Sequence, residues 1–498
     1  MENWVIALLI IGSYLLLTLV LGLIANRRLD GSMEDFLLYG RKARFPLLFL
    51  TMVATYHSAF AFLGSGGFFY THGIGFWVAG TWTVLVGAIT YTYGVRIYRL
   101  GKRFGYITPA DLLADAYESE TVRLLVALIS IVFSLLYIQV QIQGLGYIIS
   151  VASDNHISYE AGAAILLSVA ALYLMAGGLR AVYWTDALQG VWMYLAVWAG
   201  ALAITWHFWD SPAHMLQQVQ LLRPDLLTVP GPRGFFTWPM WFGLGFVLSF
   251  GIILQPHLFI RFYTAASERT LKWLGATTPI YLMTLFIPTA MIGLGGALIM
   301  PDLQVPDRIF PELLLKYISP GLTGLILAGA TAAAMSTLDS ILHANTTVLT
   351  RDIYQRYIRS DAPRQHYILV SRVFILLLLV VGYALSLGQP GYLVIVITLS
   401  GAGALQLLPA LTVALFPRHR PRLTAAGVIA GIMAGLATLG LTLIIWPHPL
   451  TLHGGVWGTA ANWLVAVLVS RVTQPVSPST RARMEAALAV PAEGGGDA

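Results

Sequence analysis

The chain has 498 residues, of which 57% are hydrophobic and only 10% are charged. A soluble protein needs about 25% charged residues to cover its surface, so this composition excludes an ordinary soluble protein and indicates a membrane protein. The net charge of +6 is scattered between apolar runs, which argues against a nucleic-acid partner, and the lack of cysteine excludes disulfides and thiolate chemistry.

The first apolar run, residues 4–25, has no basic residue before it and is too long for the hydrophobic part of a signal peptide. We interpret it as a retained membrane span. Twelve further runs approach the ~20 residues that a helix needs to cross the hydrocarbon core. We therefore predict an all-α membrane protein with thirteen transmembrane helices. The predicted spans are residues 4–25, 46–70, 76–98, 122–152, 159–177, 184–206, 235–260, 273–300, 320–350, 367–387, 391–416, 423–446 and 456–473.

The basic residues favour one orientation of these spans. With the N-terminus outside, all but four of the 29 Lys and Arg residues fall in segments on the cytoplasmic side, and cytoplasmic loops carry such an excess. We predict a multi-pass inner-membrane protein with its N-terminus outside and its C-terminus in the cytoplasm. The tail after residue 474 is rich in Pro, Ser, Ala and Gly, which predicts disorder.

Two predicted spans carry signs of an interrupted helix. The second has polar residues 55–58 at mid-depth, followed by Gly64, and the seventh contains Gly243, Gly245 and Gly251. Unwound backbone inside a membrane survives only where it lines a cavity, and transporters bind ions and substrates there. Glycines also let helices pack closely, which is the alternative. Interrupted spans five apart fit an inverted repeat of five plus five helices.

A second polar group lies in the ninth predicted span, where Ser336 and Thr337 are adjacent hydroxyls in an apolar helix. Sodium is a hard cation that prefers oxygen ligands, which two hydroxyls and freed carbonyls would supply. The alternative is that each hydroxyl donates to a carbonyl one turn earlier. Asp339 follows closely; a carboxylate in a membrane span is functional by default, although it can also hydrogen-bond within the bundle.

Four motifs follow one another along nearly the whole chain. Phe-Leu-Leu-Tyr-Gly-Arg occupies residues 36–41, and residues 173–186 end in Gly-Gly-Leu-Arg-Ala-Val-Tyr-Trp-Thr-Asp. Gln-Pro-His at residues 255–257 precedes Arg261, and Ala-Ala-Met-Ser-Thr-Leu-Asp-Ser fills residues 333–340. In this order they resemble the motifs of the sodium:solute symporter family, solute carrier 5-like proteins that include proline, pantothenate and monocarboxylate permeases and sodium/sugar cotransporters.

The resemblance implies the LeuT-type fold, in which two repeats of five helices have opposite orientations in the membrane. One extra span then precedes the repeats and two follow them. The implied divisions are the first span and its cytoplasmic loop (1–45), the first repeat (46–234), the second repeat (235–422), two C-terminal spans (423–473) and the tail (474–498).

The resemblance also implies a sodium site. Matched motif by motif, its ligands are the backbone carbonyls of Ala54, His57 and Ala333 and the side-chain hydroxyls of Ser336 and Thr337. Na⁺ is the only metal ion and cofactor that we predict.

Two further positions concern the ion path. Asp186 matches a family aspartate near the cytoplasmic exit of sodium. Tyr56 stands where some members have an aspartate, so any role of that carboxylate is absent here and a second sodium site lacks support.

The substrate is expected near the midplane of the membrane, among the second, fourth, seventh and eleventh spans. The available side chains are aromatic and amide-rich and include no buried Lys or Arg. Hydroxyls and a helix N-terminus can hold one carboxylate, so we favour a small monocarboxylate or similar acid over a sugar. The candidate substrate residues are Tyr56, Ser58, Phe60, Ala61, Gln141, Trp238, Trp241, Phe242 and Gln406.

The sequence therefore predicts a sodium-coupled symporter that imports a small organic solute by alternating access, with the lipid bilayer as its surroundings and no enzymatic activity. Three alternatives stay open: proton coupling, for which His57 is the candidate, uncoupled transport, and a transporter-like sensor of a solute.

Overall fold

The computed structural model describes residues 2–26, 37–389, 391–417 and 422–489. Because hydrocarbon offers the backbone no hydrogen-bond partners, an apolar chain of this kind is expected to be helical. The described residues form twenty α-helices with short 3₁₀ and π segments, and one isolated β-bridge joins Ala43 to Ala265. In chain order the α-helices are α1 (Asn3–Asn26), α2 (Phe45–Tyr56), α3 (Ser65–His72), α4 (Val78–Ile89), α5 (Val95–Phe104), α6 (Pro109–Tyr117), α7 (Glu120–Ala152), α8 (Tyr159–Trp209), α9 (Pro212–Leu222), α10 (Trp238–Phe246), α11 (Pro256–Thr264), α12 (Glu268–Ile299), α13 (Ile309–Tyr317), α14 (Pro320–Val348), α15 (Arg364–Ser386), α16 (Leu393–Ala404), α17 (Leu408–Leu415), α18 (Ala425–Ile444), α19 (Gly454–Ser470) and α20 (Pro478–Ala489).

Nine helical segments of the described chain are long and apolar enough to cross a membrane, and the bent pair Trp238–Gly251 and Pro256–Thr264 makes a tenth. A multi-pass membrane protein is thus confirmed, whereas the number of thirteen spans stays a prediction. The difference arises in part at α8, whose 51 residues contain both predicted spans 159–177 and 184–206.

Helix α14 lies at the centre of the bundle and is almost entirely buried. Small residues along it let neighbouring helices approach closely. A Cβ atom on Gly329 would come within 2.2 Å of Ala196 on α8, and one on Gly324 within 2.9 Å of Ile10 on α1. These contacts fix the helix that carries the predicted sodium-binding hydroxyls.

The C-terminal tail differs from its prediction. Helix α20 packs against α5 and α6, so the predicted disorder of residues 474–498 is wrong for this part of it. Thr480 and Met484, about one helical turn apart, are buried against the bundle, and this apolar contact stabilises the helix. Residues 490–498, like residues 27–36 of the predicted first loop, lie outside the described residues.

Candidate functional site

The second predicted span is interrupted near its middle. Helix α2 ends at Tyr56, His57 takes an extended conformation (φ −97°, ψ 112°), and helical conformation resumes at Ala59. The break leaves backbone groups without helical partners. Gln141 on α7 satisfies one of them, because its Oε1 accepts a hydrogen bond from the Ala59 amide at 3.0 Å. Gln141, predicted as a substrate ligand, therefore supports the broken backbone.

The five residues of the predicted sodium site lie together at this break, and all are buried. Ser336 Oγ is 3.0 Å from the Ala54 carbonyl oxygen, and Thr337 Oγ1 is 3.3 Å from the carbonyl oxygens of His57 and Ala333. Oxygen ligands about 2.3–2.6 Å from a hard cation, at right angles to one another, are roughly 3.3–3.7 Å apart. The oxygens at the break are thus spaced nearly as such a cation requires.

The two hydroxyls lie between both helices. Each is within hydrogen-bond distance of the Ala333 carbonyl one turn earlier in α14, as the alternative predicted, and of a carbonyl at the end of α2 or in the break, and its single proton can be donated to one of them at a time. The C-terminal end of α2 carries the partial negative charge of the helix dipole, which favours a cation at this place. An ion bound here would join the broken helix to α14.

The seventh predicted span is interrupted as well. Helix α10 continues as a π segment to Gly251, and the chain then bends by 48° into α11. Gln255 at the bend connects two other helices, since its Oε1 accepts from Ser134 Oγ at 2.9 Å and its Nε2 donates to Ser400 Oγ at 2.8 Å. A Cβ atom on Gly251 would lie 2.3 Å from the Gly401 carbonyl oxygen, so close packing requires glycine there.

Buried polar side chains gather around these two breaks, and except for Tyr56 the sequence analysis did not select them. The rings of Tyr56 and Trp82 are 6.4 Å apart, those of Tyr137 and His257 are 5.3 Å apart, and the Thr90 hydroxyl lies beside the Tyr56 phenol. We call these five residues the central cluster. Among the described residues the Trp82 indole and the His257 imidazole have no hydrogen-bond partner, and the phenols of Tyr56 and Tyr137 have only the nearby hydroxyls of Thr90 and Ser58. An unpaired buried polar group costs about 1–3 kcal/mol, so this arrangement suits a polar ligand.

Three other predicted substrate residues lie at the first break. Ser58 Oγ accepts a hydrogen bond from the Phe60 amide at 3.2 Å and so caps the second half of the span. The Phe60 ring packs against Phe286, with ring centroids 6.3 Å apart, and Ala61 is buried on the same turn. They form the apolar wall and the cap of the break.

Three predicted substrate residues lie at the surface, which contradicts their predicted place in the interior. Trp238 and Phe242 are 74% and 62% exposed, and Trp241 lines a surface groove beside Trp238. This placement on the first turns of α10 is typical of aromatic residues at a membrane interface. Gln406 is buried in a segment that contacts the π segment of the second break, and its side chain donates to the Ala402 carbonyl and accepts from Asn462 of α19, so its role at the substrate stays a prediction.

A buried ion pair lies next to the sodium-site residues. Asp186 Oδ2 accepts a hydrogen bond from Arg261 Nη2 at 2.8 Å, and the same nitrogen donates to Ser340 Oγ at 2.8 Å. The guanidinium thus neutralises Asp186, the carboxylate predicted at the sodium exit. The sequence analysis named Arg261 only as part of a motif and did not predict this ion pair. Asp339 accepts from the Tyr173 hydroxyl, which fits the alternative of a bond within the bundle.

The opposite side of the first break is covered by the loop between α12 and α13. The Tyr70 hydroxyl donates to the Met300 carbonyl at 2.7 Å and accepts from the Leu303 amide at 3.1 Å. Asp307, which is buried, accepts from the Leu393 amide at the start of α16 at 2.9 Å. Burial raises the pKa of Asp307 to about 7, although the amide bond opposes the shift.

Comparison with known proteins places these features in one family. A family model described as the sodium:solute symporter family matches residues 36–435. The chain is 27% identical to the sodium/pantothenate symporter of Escherichia coli over 438 residues, covering 84% of this chain and 87% of that one. It is 25% identical to the high-affinity proline transporter PutP of Bacillus subtilis, covering 92% and 96%.

The fold is also similar to a solved structure. A Na⁺-coupled sialic acid symporter superposes with a TM-score of 0.80 at 16% identity, covering 95% of this chain and 99% of that one. This likeness confirms the LeuT-type fold.

Proposed function

The chain belongs to the sodium:solute symporter family, and we propose that it imports a small monocarboxylate or similar organic acid together with Na⁺ by alternating access. Na⁺ is the coupling ion of this family and of the sialic acid symporter. In the proposal, Na⁺ is held by the carbonyls of Ala54, His57 and Ala333 and the hydroxyls of Ser336 and Thr337. Its oxygens come from both α2 and α14, so binding one ion changes how the two helices are held together.

The central cluster is the observation that supports a carboxylate as the substrate. Its phenols, indole, hydroxyl and imidazole can each donate a hydrogen bond, and the indole and the imidazole have no partner among the described residues. A carboxylate is an acceptor-only group with about four lone-pair sites, so it is complementary to such a set.

We call the two sets of contacts that close the site, one on each side, the covers, and their arrangement supports alternating access. Tyr70 and Asp307 fasten the loop between α12 and α13 on one side, and the Asp186–Arg261 pair joins α8, α11 and α14 on the other. Transport requires the two covers to open in turn. Sodium bound at the break would shift the populations of these states, and by linkage the substrate would raise the affinity for sodium.

The test is uptake into proteoliposomes. Radiolabelled monocarboxylates, amino acids and sugars are offered under an inward Na⁺ gradient, a matched K⁺ gradient and an imposed proton gradient. We expect accumulation of a carboxylate under the Na⁺ gradient alone. Accumulation driven equally by protons in Na⁺-free buffer would contradict sodium coupling, and accumulation of sugars only would contradict the substrate class.

The central cluster is tested by Tyr137→Phe. Since the phenol has only the Ser58 hydroxyl beside it among the described residues, its removal should change thermal stability little while raising KM. A hydrogen bond to a charged group contributes about 1.5–3 kcal/mol, so a carboxylate substrate predicts a KM increase of tenfold or more. Tyr159→Phe is the matched control, because the Tyr159 hydroxyl is already bonded to the Ser386 carbonyl. Equal KM values for Tyr137→Phe and the wild type would remove the cluster from the substrate site.

We also propose the inner membrane as the location, with the N-terminus outside and the C-terminus in the cytoplasm, supported by the distribution of basic residues. The chain has no cysteine, so single cysteines can be introduced without background. Ser479→Cys should be protected from an impermeant maleimide in intact cells, and Gln304→Cys should react. The reverse pattern would overturn the orientation.

A further inference from the structure

Helix α20 forms one wall of a groove at one end of the bundle. The helix is held by Arg483, which pairs with Asp115 at 2.6 Å, and by the hydroxyls of Ser477 and Thr480, which donate to Glu118. The groove lies between α20, the end of α6, the end of α17 and the segment before α18; it is open to the surface, and its cavity volume is about 40 Å³. None of the residues that line it belongs to either helix break, and it has no part in the proposed transport function.

The position of the groove matches the boundary between acyl chains and headgroups. Val413 and Ala414 belong to the last turns of the membrane span Leu393–Leu415, while Arg422 lies just before the span that begins at Ala425. One end of the groove is therefore at the depth of the hydrocarbon and the other at the depth of the polar headgroups.

The lining of the groove is amphiphilic and positively charged. Its apolar wall includes Val413, Leu423 and Met484, and its charged residues are Arg422 and Arg481, without an acidic residue. Neither arginine forms an ion pair with any residue that the structure describes, in contrast to the neighbouring Arg483 of the same helix. Unneutralised guanidinium groups beside an apolar wall are complementary to a phosphate group that carries acyl chains.

We propose that this groove is a binding site for an anionic phospholipid. The headgroup phosphate is held by Arg422 and Arg481, and the acyl chains lie along Val413, Leu423 and Met484. Since α20 supplies one wall of the groove, the bound lipid holds this helix against the bundle. The proposal is independent of the identity of the transported solute and of the sodium site.

The experiment uses the full chain, purified in a lipid-free detergent, and native mass spectrometry with added phosphatidylglycerol or phosphatidylcholine. We expect a bound phosphatidylglycerol in the wild type and binding weakened by about thirtyfold in R422Q/R481Q, since both arginines act on one phosphate. The matched control is R359Q/R364Q, which removes two exposed arginines without ion pairs among the described residues.

Three outcomes would overturn the proposal. The first is equal binding of phosphatidylcholine and phosphatidylglycerol, and the second is equal loss of binding in R422Q/R481Q and in the control. The third is displacement of the lipid by millimolar inorganic phosphate, which would show that the site takes the free anion. Because all four arginines lie at the surface or are half-buried, both double variants are expected to fold, and their thermal midpoints in phosphatidylcholine check this.

Discussion

Removing Arg261 alone is expected to damage the protein more than removing the whole ion pair. The Arg261 and Asp186 side chains are 2% and 0% exposed, and their closest N–O distance is 2.8 Å. In Arg261→Gln the carboxylate stays buried without its counter-charge, which costs about 3–5 kcal/mol. In Asp186→Asn the guanidinium is left in the same situation. The double variant D186N/R261Q leaves no charge and keeps amide groups near Thr51 and Ser340.

The assay is a double-mutant cycle on reversible unfolding in mixed micelles. We expect each single variant to lose about 3–5 kcal/mol and the double variant to recover most of it, giving a coupling of about 3 kcal/mol. The control pair is Arg223–Asp225, whose side chains are 39% and 42% exposed. Its coupling should be only about 0.2–1 kcal/mol. If the losses at Arg261 and Asp186 simply add, the buried pair is not what joins these helices.

Two other substitutions test the covers and the break. Asp307 has its pKa raised to about 7 by burial, against about 3.9 for an exposed aspartate, so the closed loop binds a proton between these values and loses stability as the pH rises towards 7. The rate at which a maleimide labels Leu303→Cys is divided by its rate with a small free thiol at the same pH, which removes the effect of thiol ionisation. This ratio should be lower at pH 5 than at pH 7.5, and Asp307→Asn should abolish the difference. A retained difference would exclude Asp307 as the cause. Gln141→Ala leaves the Ala59 amide unpaired and should lower the free energy of unfolding by about 1–3 kcal/mol. The control Gln139→Ala removes an Nε2 without a partner and should lower it by less. Equal losses would contradict the role of Gln141.

The interrupted spans could be predicted because polar groups and glycines are rare inside apolar helices, so each one stands out. The same signal marked Ser336 and Thr337, whose role in binding sodium stays a prediction. For Ser336 and Thr337 the sequence left open only whether they face the break after Tyr56, and the family motif identified the carbonyls opposite them. The bend near Gln255 was located from glycines in the same way. At these positions the residue types and the packing of the helices favour the same interrupted spans.

The substrate residues were harder to predict, because a span assignment does not give the rotation of a helix. Trp238 and Phe242 were placed at the substrate by span number alone, yet they face the surface. Tyr137 and Trp82 lie in spans that the sequence does not show as interrupted. Their polar atoms within apolar runs were the only sequence signal that could have identified them as candidate site residues. For α20 the missed signal was the spacing of Thr480 and Met484 by one turn, which a composition rich in Pro, Ser, Ala and Gly obscured.

The central claim is that oxygens of α14 and of the broken α2 bind one sodium ion together. The most direct measurement is the Na⁺ concentration for half-maximal uptake in Thr337→Val, with Thr331→Val as the control. Thr331 is equally buried on α14 but bonds only to its own helix. We predict an increase of roughly tenfold or more for Thr337→Val and no change for the control. An unchanged sodium requirement in Thr337→Val, with transport intact, would contradict the account.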